Sequence, residues 1–404
     1  AGMPVCSPTR ASLLTGQRPL THGIFLNDVQ LSSDAVTLPK VLKAAGYDTG
    51  AIGKWHVDGH GRSSFIPRER RQGFDYWKVL ECTHAYNNSP YYGDTPEQLK
   101  WDGYDAFDQT KAAVEFVRTR AKEKNAKPFL LWLAWGPPHN PYGTAPEKYR
   151  ARFDPEKMQL RPNVPEAFAA ATRKDLAGYY AHAAALDDAV GDLLAALRES
   201  GMEENTIVVF TADHGDMLGS QGMIRKQKPF DESARVPMLI RWPAGLGKKG
   251  RVLDAPINSE DLMPTMLEVA GAAYPKTLAG RELPPLLGKS WGPVLAGNRL
   301  SVGDQGELQV MFDLAGPADQ VQVEILSAGG KVIDTIDLGA QSAGRHLFDW
   351  DAQGKMTNGT VSFRVTATQE HSMCVEGQWV DSVYLAVDQH AFRDSTWRKE
   401  FVRS

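Results

Sequence analysis

Residues 206–213 have the sequence TIVVFTAD, a continuous apolar run that ends in an acidic residue and is followed directly by His214. A run of this length without polar alternation is typical of a strand buried on both faces of a parallel sheet. PFLLWLAW at 128–135 and VPMLIRWP at 236–243 are runs of the same kind. We therefore predict that all three are buried strands of a mostly parallel sheet.

Stretches with helical periodicity alternate with these strands. They are TLPKVLKAAG at 37–46 and residues 105–124, 173–200 and 259–270. We expect the last of them to start with Ser259 as its N-cap and to stop at Gly271. Alternating strands and helices predict an α/β domain over residues 1–297, with a mostly parallel sheet flanked by helices.

The pattern changes after residue 298. Five segments alternate apolar and polar residues with a period of two: ELQVMFDL, QVQVEIL, KVIDTIDL, RHLFDW and TVSFRVTA. Glycine-containing turn clusters separate several of them. This pattern predicts a small all-β sandwich over residues 298–390, followed by a C-terminal tail at 391–404.

Composition excludes several classes of protein. The 404 residues include 45 Lys and Arg against 49 Asp and Glu, a net charge of −4, so no positive field favours a nucleic-acid partner. No apolar run approaches the roughly 18 residues of a membrane span. The three cysteines, Cys6, Cys82 and Cys374, are too few and too widely spaced for a disulfide framework or a zinc site.

Polar residues follow three of the strand-like segments. Asp213 and His214 follow TIVVFT, His139 follows FLLWLAW within GPPHNP, and Lys54 and His56 end the run GYDTGAIGKWH. Open α/β sheets bind their ligands beyond the carboxyl ends of the strands. Any one of these residues could be an ordinary loop residue, but together they predict a site for a cation and an oxyanion.

Cys6 lies in the segment CSPTRASLLTG. It could be a small buried apolar residue, the usual role of a free cysteine. However, Pro8 and Thr9 precede a helix-like run whose first N–H groups would favour an anion. Arg10 adds a permanent charge suited to tetrahedral oxyanions. These features predict that Cys6 lies in an electropositive pocket, where reactive thiols occur.

Four segments together resemble the sulfatases, members of the alkaline-phosphatase-like superfamily. CSPTRASLLTG (6–16) is similar to the first sulfatase signature and GYDTGAIGKWH (46–56) to the second. GPPHNP (136–141) and TADHGDMLGSQGMIRKQ (211–227) resemble two further sulfatase segments, in the same order. The resemblance implies hydrolysis of sulfate esters, with a small-molecule or carbohydrate sulfate ester as substrate.

The resemblance also implies how the reaction proceeds. In sulfatases the signature cysteine is oxidised to formylglycine by a maturation enzyme, and the hydrated aldehyde attacks sulfur and expels the alcohol. The second hydroxyl of the hydrate then drives release of sulfate, which a thiol could not do. By this resemblance Arg10 and Lys54 hold the hydrate on residue 6, and His56 takes the proton that permits elimination.

Further roles follow from the same resemblance. His139 and Lys226 would contact the sulfate or protonate the leaving oxygen, and Lys226 is preferred to Lys228 because of its spacing from Asp213. Asp213 and His214 match a metal-binding pair, and the metal usual in the family is Ca²⁺, which prefers oxygen ligands.

The sequence departs from sulfatases in two places. Their first strand carries an acidic pair of metal ligands upstream of the cysteine, and this chain starts five residues before Cys6. We therefore expect an N-terminally truncated sheet. Residues from about 298 resemble the Ig-like domain of flagellar hook-assembly proteins instead of the usual sulfatase subdomain.

Other functions remain open at this stage. One is hydrolysis of phosphate or phosphonate esters, whose tetrahedral oxyanions resemble sulfate. Another is an inactive fragment or a fusion with an assembly or adhesion role. The expected location is periplasmic or secreted.

Overall fold

The computed structural model describes residues 1–253, 257–272, 295–302, 308–314, 317–327, 331–342, 344–350, 359–369, 372–376 and 383–385. The helices and strands before residue 273 form one compact unit, and the strands from residue 295 onward form a second. The predicted tail, residues 391–404, lies outside the described residues. No helix within the described ranges is long and apolar enough to cross a membrane.

The first unit alternates helices and strands as predicted. Its helices are α1 (Cys6–Thr15), α2 (Pro19–His22), α3 (Leu38–Ala44), α4 (Asp105–Lys122), α5 (Glu147–Arg150), α6 (Glu166–Glu199), α7 (Asp231–Ala234), α8 (Pro243–Leu246) and α9 (Leu262–Ala270). Its strands are β1 (Asp48–Lys54), β2 (Tyr76–Leu80), β3 (Pro90–Tyr92), β4 (Gln98–Lys100), β5 (Phe129–Ala134), β6 (Val208–Thr211) and β7 (Met238–Arg241).

The main sheet is mixed, with the strand order β4-β3-β2-β1-β5. Strand β1 runs parallel to both β2 and β5, while β3 and β4 are antiparallel additions at one edge. Strands β6 and β7 form a separate antiparallel pair, so the expectation that they run parallel within one sheet is wrong. The chain reverses between β6 and β7 through a long loop, which carries residues of the site. The α-helix within this loop, α7, has only four residues.

Two helix starts differ from the sequence prediction. Helix α6 begins at Glu166, well before the predicted start at residue 173. Helix α9 follows a 3₁₀ turn, and the cap is Asn258 rather than Ser259. Asn258 and Asp261 each accept a hydrogen bond from the backbone of the other, which satisfies two N–H groups at once. Gly271 ends α9 with a φ of 62°, as predicted.

The centre of the first unit is an apolar cluster beneath β1. Trp55, which follows β1, is 1% exposed and packs edge-to-face on Phe74 and Trp77, with ring centroids 5.7 and 5.2 Å away. Its ring therefore belongs to the core. This packing fixes the segment between Lys54 and His56, because aromatic pairs of this geometry stabilise beyond the area they bury.

A buried histidine makes this unit sensitive to acid. His182 on α6 is fully buried, and its Nδ1 lies 2.7 Å from the hydroxyl of Tyr104, which donates to it. Burial lowers the pKa of His182 to about 4, whereas the model-peptide value is 6.5. The unfolded chain therefore binds this proton first as the pH falls.

We expect the free energy of unfolding to be highest above pH 6.5 and to fall as the pH drops toward 4. The His182 contribution to that loss is about 3 kcal/mol. Thermal unfolding followed by circular dichroism between pH 7.5 and 4 measures it. His182→Gln should weaken the dependence on pH, and an unchanged slope would contradict the assignment.

The second unit consists of antiparallel strands. They are β8 (Leu295–Val302), β9 (Leu308–Leu314), β10 (Ala318–Ser327), β11 (Val332–Gln341), β12 (Gly344–Trp350), β13 (Gly359–Gln369), β14 (Ser372–Glu376) and β15 (Val383–Leu385). One sheet has the order β11-β10-β13-β14, with β15 also on β13, and the other has the order β12-β9-β8. Alternate residues of both sheets, such as Phe312, Val323 and Val365, share one buried cluster. The predicted all-β sandwich is confirmed.

Candidate active site

Cys6 is the first residue of α1, a helix in which all ten residues are buried. The helix therefore starts at the cysteine and not after Thr9, as the sequence pattern suggested. The prediction was wrong because Pro8 lies within the first turn, where its missing N–H costs nothing. The backbone N–H of Ser7 donates to Oδ1 of Asn27 at 3.0 Å. The side chain at position 6 thus lies at the positive end of a buried helix.

Lys54 reaches Cys6 from the end of β1. Its Nζ lies 3.4 Å from Sγ of Cys6, and its side chain is buried. Gly53, just before it, has a φ of 97°, and a Cβ there would lie 2.2 Å from the carbonyl oxygen of Ala134 on β5. Only glycine allows this close approach of β1 and β5, which carries Lys54 to the edge of the sheet.

Arg10 joins α1 to two other elements. Its Nε donates to Oδ2 of Asp213 at 2.8 Å, and its NH1 donates to the carbonyl oxygen of Lys54 at 2.8 Å. Burial would raise the pKa of Asp213, but His214, Arg10 and Lys54 hold it well below its usual range. Loss of either charge of this buried pair would leave the other uncompensated, at a cost of about 3–5 kcal/mol.

His214 contacts the cysteine from the end of β6. Its Nε2 lies 3.4 Å from Sγ of Cys6, and its Nδ1 lies 2.8 Å from the carbonyl oxygen of Gly215. Because a carbonyl can only accept, Nδ1 carries a proton and Nε2 faces the sulfur. Burial lowers the pKa of His214, but Asp213 and Cys6 outweigh it and raise the value overall. Nε2 of His214 therefore faces the side chain at residue 6.

The surroundings stabilise the thiolate of Cys6. Burial and the carboxylate of Asp213 oppose its ionisation. The imidazoles of His214 and His56 and the charge of Lys54 outweigh them and lower the pKa of Cys6 to about 3. The position therefore favours a negative charge, as the sequence predicted for an electropositive pocket.

His139 and Lys226 contact each other at the same edge. Nδ1 of His139 lies 2.9 Å from the carbonyl oxygen of Asn140 and therefore carries the ring proton. Its Nε2 is unprotonated and accepts a hydrogen bond from Nζ of Lys226. Burial, followed by the charges of Lys226 and Lys54, lowers the pKa of His139 to about 3. His139 is therefore neutral at pH 7.

The loop around Lys226 is strained. Arg225 and Gln227 both have positive φ angles, 66° and 67°, and a non-glycine residue in this region costs on the order of 1 kcal/mol or more. The N–H of Gln227 donates to the carbonyl oxygen of Pro4 at 3.1 Å. The loop is thereby tied to the segment next to Cys6. Lys228 instead donates its backbone N–H to Oγ of Ser233.

Residues 1–272 match the family model of the sulfatases. The chain belongs to the sulfatase family. Residues 297–371 match the model of the FlgD Ig-like domain, in agreement with the sandwich of the second unit. The resemblance of the four sequence segments to sulfatases, and of the C-terminal region to a hook-assembly Ig-like domain, is confirmed.

Relatives of this chain include proteins named as sulfatases. An ulvan-active sulfatase from Formosa agariphila is 46% identical over 287 residues, which are 70% of this chain and 56% of the relative. An endo-4-O-sulfatase from Bacteroides thetaiotaomicron is 30% identical over 320 residues, covering 70% of this chain and 61% of the relative. The chain thus spans little more than half the length of these relatives.

A solved structure extends the comparison to the fold. A putative sulfatase, YidJ, from Bacteroides fragilis has a TM-score of 0.67 and 26% sequence identity, with 89% of this chain and 82% of that chain covered. The sulfatase family implies a formylglycine at the signature cysteine and a divalent metal ion. In the present structure Sγ of Cys6 stands where a hydroxyl oxygen of the formylglycine hydrate would lie.

The donor set of this sulfatase can be tested against a metal ion. Ligand atoms of Cys6, His139 and His214 lie within 4.8 Å of one another. Asp213 adds carboxylate oxygens, but its Oδ2 already accepts from Arg10. Ca²⁺ takes six to eight oxygen ligands, whereas this group offers mainly nitrogen and sulfur. The described residues alone therefore do not fit a Ca²⁺ site.

Sequence reasoning missed four residues of this region. Glu81 and Cys82 follow β2, and Glu81 accepts backbone N–H groups from His56, Asp58 and Gly59. The rule that placed Lys54 at a strand end applies equally to β2 and would have found them. The other two are His84, whose ring stacks on His139 with centroids 4.7 Å apart, and Asp28, which contacts His56. They lie in irregular segments that carry no such signal.

Proposed function

We propose that this sulfatase hydrolyses sulfate esters of a carbohydrate through a formylglycine formed from Cys6. The observation that carries the proposal is the position of Cys6 at the start of a buried helix, 3.4 Å from both Lys54 Nζ and His214 Nε2. The names of the relatives, which include ulvan-active and endo-4-O-sulfatases, favour a polysaccharide or oligosaccharide sulfate.

The roles of the side chains follow from their surroundings. Lys54 and the first turn of α1 would stabilise negative charge on the hydrate at residue 6, and Arg10 would orient Lys54 and Asp213. His56 would take the hydrate proton that allows elimination. Charged groups held in place beforehand stabilise the charge that develops in the transition state.

The two groups near the leaving oxygen have different roles in this proposal. Because His139 is neutral at pH 7, it is a poor proton donor. Burial and the charge of Lys54 lower the pKa of Lys226, against the effect of Cys6, and this makes its ammonium a better acid. Lys226 therefore protonates the leaving oxygen, and the neutral His139 orients Lys226.

The metal of this proposal is Ca²⁺, with Asp213 and His214 as two of its ligands and further oxygen ligands from an additional strand. Among the described strands, β5 pairs only with β1 and β6 pairs only with β7. Both are apolar but only half-buried. Two open edges of this kind favour insertion of another strand. Bound Ca²⁺ would supply positive charge next to the reacting oxygen atoms.

The proposal extends to maturation and location. A formylglycine-generating enzyme would convert Cys6, and the protein would act in the periplasm or outside the cell, where polymeric sulfated carbohydrates are accessible. Residues 1–297 form the catalytic domain in this proposal, and the Ig-like domain follows at 298–390.

Mass spectrometry of the peptide that contains Cys6 tests the conversion. We expect formylglycine after co-expression with a maturation enzyme, and an intact thiol would contradict the proposal. Turnover of an aryl sulfate is then compared with that of the matching aryl phosphate, with and without Ca²⁺. A preference for phosphate would favour a phosphatase.

A further inference from the structure

We propose that Asp28 and Arg62 are positioning residues that hold the imidazole of His56 with its Nδ1 toward residue 6. The proposal rests on the proposed function, because it concerns the group that takes the hydrate proton. It assigns a role to two residues for which no sequence pattern indicated one.

The two ring nitrogens of His56 are in different situations. Nε2 lies 3.1 Å from Oδ1 of Asp28. Nδ1 is buried and has no hydrogen-bond partner among the described residues, although the whole residue is only 1% exposed. A buried polar atom without a partner is destabilising. With Nε2 engaged by Asp28, Nδ1 is the nitrogen left for chemistry at residue 6.

Arg62 fixes the carboxylate of Asp28. Its Nε donates to Oδ1 at 2.9 Å and its NH2 donates to Oδ2 at 2.7 Å, a two-point contact with a defined plane. Hydrogen bonds from Arg62 are the largest cause that lowers the pKa of Asp28 to about 2, and His56 contributes. The carboxylate is therefore ionised and can only accept, so Nε2 of His56 carries the proton.

The backbone links this pair to residue 6. Asp28 has a φ of 63°, in the left-handed region. The preceding residue, Asn27, accepts the N–H of Ser7 in the first turn of α1. The same short segment thus contacts the helix that carries Cys6 and orients the ring of His56. Strain at such a position is kept where the surrounding structure requires it.

The backbone of His56 is held independently of Asp28. His56 has a φ of 65°, and its N–H donates to Oε2 of the buried Glu81 at 3.1 Å. Removal of the Asp28 carboxylate would therefore release the ring while the segment stays in place. The side chains of Asp28 and Arg62 are 44% and 48% exposed, so their ion pair adds little to stability.

The proton transfer follows from this arrangement. With Nε2–H donated to Asp28, the lone pair of Nδ1 accepts the proton of the free hydroxyl on the sulfated hydrate. The electrons of that O–H bond form the aldehyde C=O, and the C–O bond to sulfate breaks, which releases sulfate. The imidazolium that results faces the Asp28 carboxylate, which stabilises its charge.

Asp28→Asn tests the kinetic consequence. Arg62 requires acceptors, so the amide oxygen would turn to Arg62 and the NH2 group to Nε2 of His56, which favours the wrong tautomer. We expect kcat to fall about 100-fold or more with KM changed by less than about threefold. Arg62→Gln should show a smaller loss of the same kind, with Arg62→Lys partly restoring kcat. The matched control is Arg68→Gln, which removes a surface pair with Asp75.

A spectroscopic measurement separates this proposal from the proposed function. The full chain labelled with ¹⁵N-histidine should show a downfield Nε2–H proton, assigned with His56→Gln and lost or shifted in Asp28→Asn. In the neutral ring, which forms above the raised pKa of His56 of about 9, protonation at Nδ1 would overturn the proposal, as would a signal unchanged by Asp28→Asn or an unchanged kcat. Absence of turnover in the unsubstituted chain contradicts the proposed function alone, because the NMR result still decides the orientation of the ring.

Discussion

Cys6→Ser, produced without a maturation enzyme, is expected to release at most one equivalent of alcohol from an aryl sulfate and then to stop. The serine hydroxyl would take the place of Sγ, within reach of Lys54 and His214. It can accept the sulfuryl group, but it has no second hydroxyl to expel sulfate. Steady-state turnover should therefore fall by about 10⁴-fold or more relative to the converted enzyme.

A burst assay measures the single equivalent of alcohol that is released. Mass spectrometry of the active-site peptide should detect a stable sulfate adduct on the serine. Ser7→Ala is the matched control, since it changes the next residue of the same turn. The hydroxyl of Ser7 is buried without a partner in the described part of the chain, so its removal should leave turnover and stability nearly unchanged. Continuous turnover by Cys6→Ser would contradict the need for a hydrate.

The strand-end argument explains why much of the site could be predicted. His139 and Asp213 follow apolar runs that the structure contains as β5 and β6, and Lys54 is the last residue of β1. The strand conformation of an apolar run is a local property of the sequence, whereas its burial is not. The prediction that all three runs are buried is wrong because β5, β6 and β7 are only partly buried. The pairing of runs depends on the whole chain, and this is why the antiparallel β6 and β7 could not be predicted.

The residues that were missed depend on contacts distant in sequence. Asp28 acts through its position against His56 and Arg62, and Glu81 through three N–H groups of a neighbouring loop. In the second unit, by contrast, the period-two pattern directly predicts which side chains are buried, as for Val321 and Val323. The alternation of a strand is set by its own backbone, whereas a loop residue is placed by its partners.

Lys226→Gln is expected to lower kcat/KM by about 10²–10⁴-fold on a sugar sulfate and far less on 4-nitrophenyl sulfate. The reason is that a poor leaving group needs a proton in the transition state and a good one does not. Lys228→Gln is the matched control, since Lys226 and not Lys228 contacts His139 in the structure.

The pH profile supplies an independent measurement of the same role. An acid acts only while protonated, so activity should be full below the lowered pKa of Lys226 and should fall as the pH rises through it. His139, with a pKa of about 3, cannot produce this alkaline limb. Lys226→Gln should therefore remove the alkaline limb on the sugar sulfate, while Lys228→Gln keeps it. An equal loss on both substrates would instead assign Lys226 to binding of the sulfate, because a charge that holds the anion serves every leaving group alike.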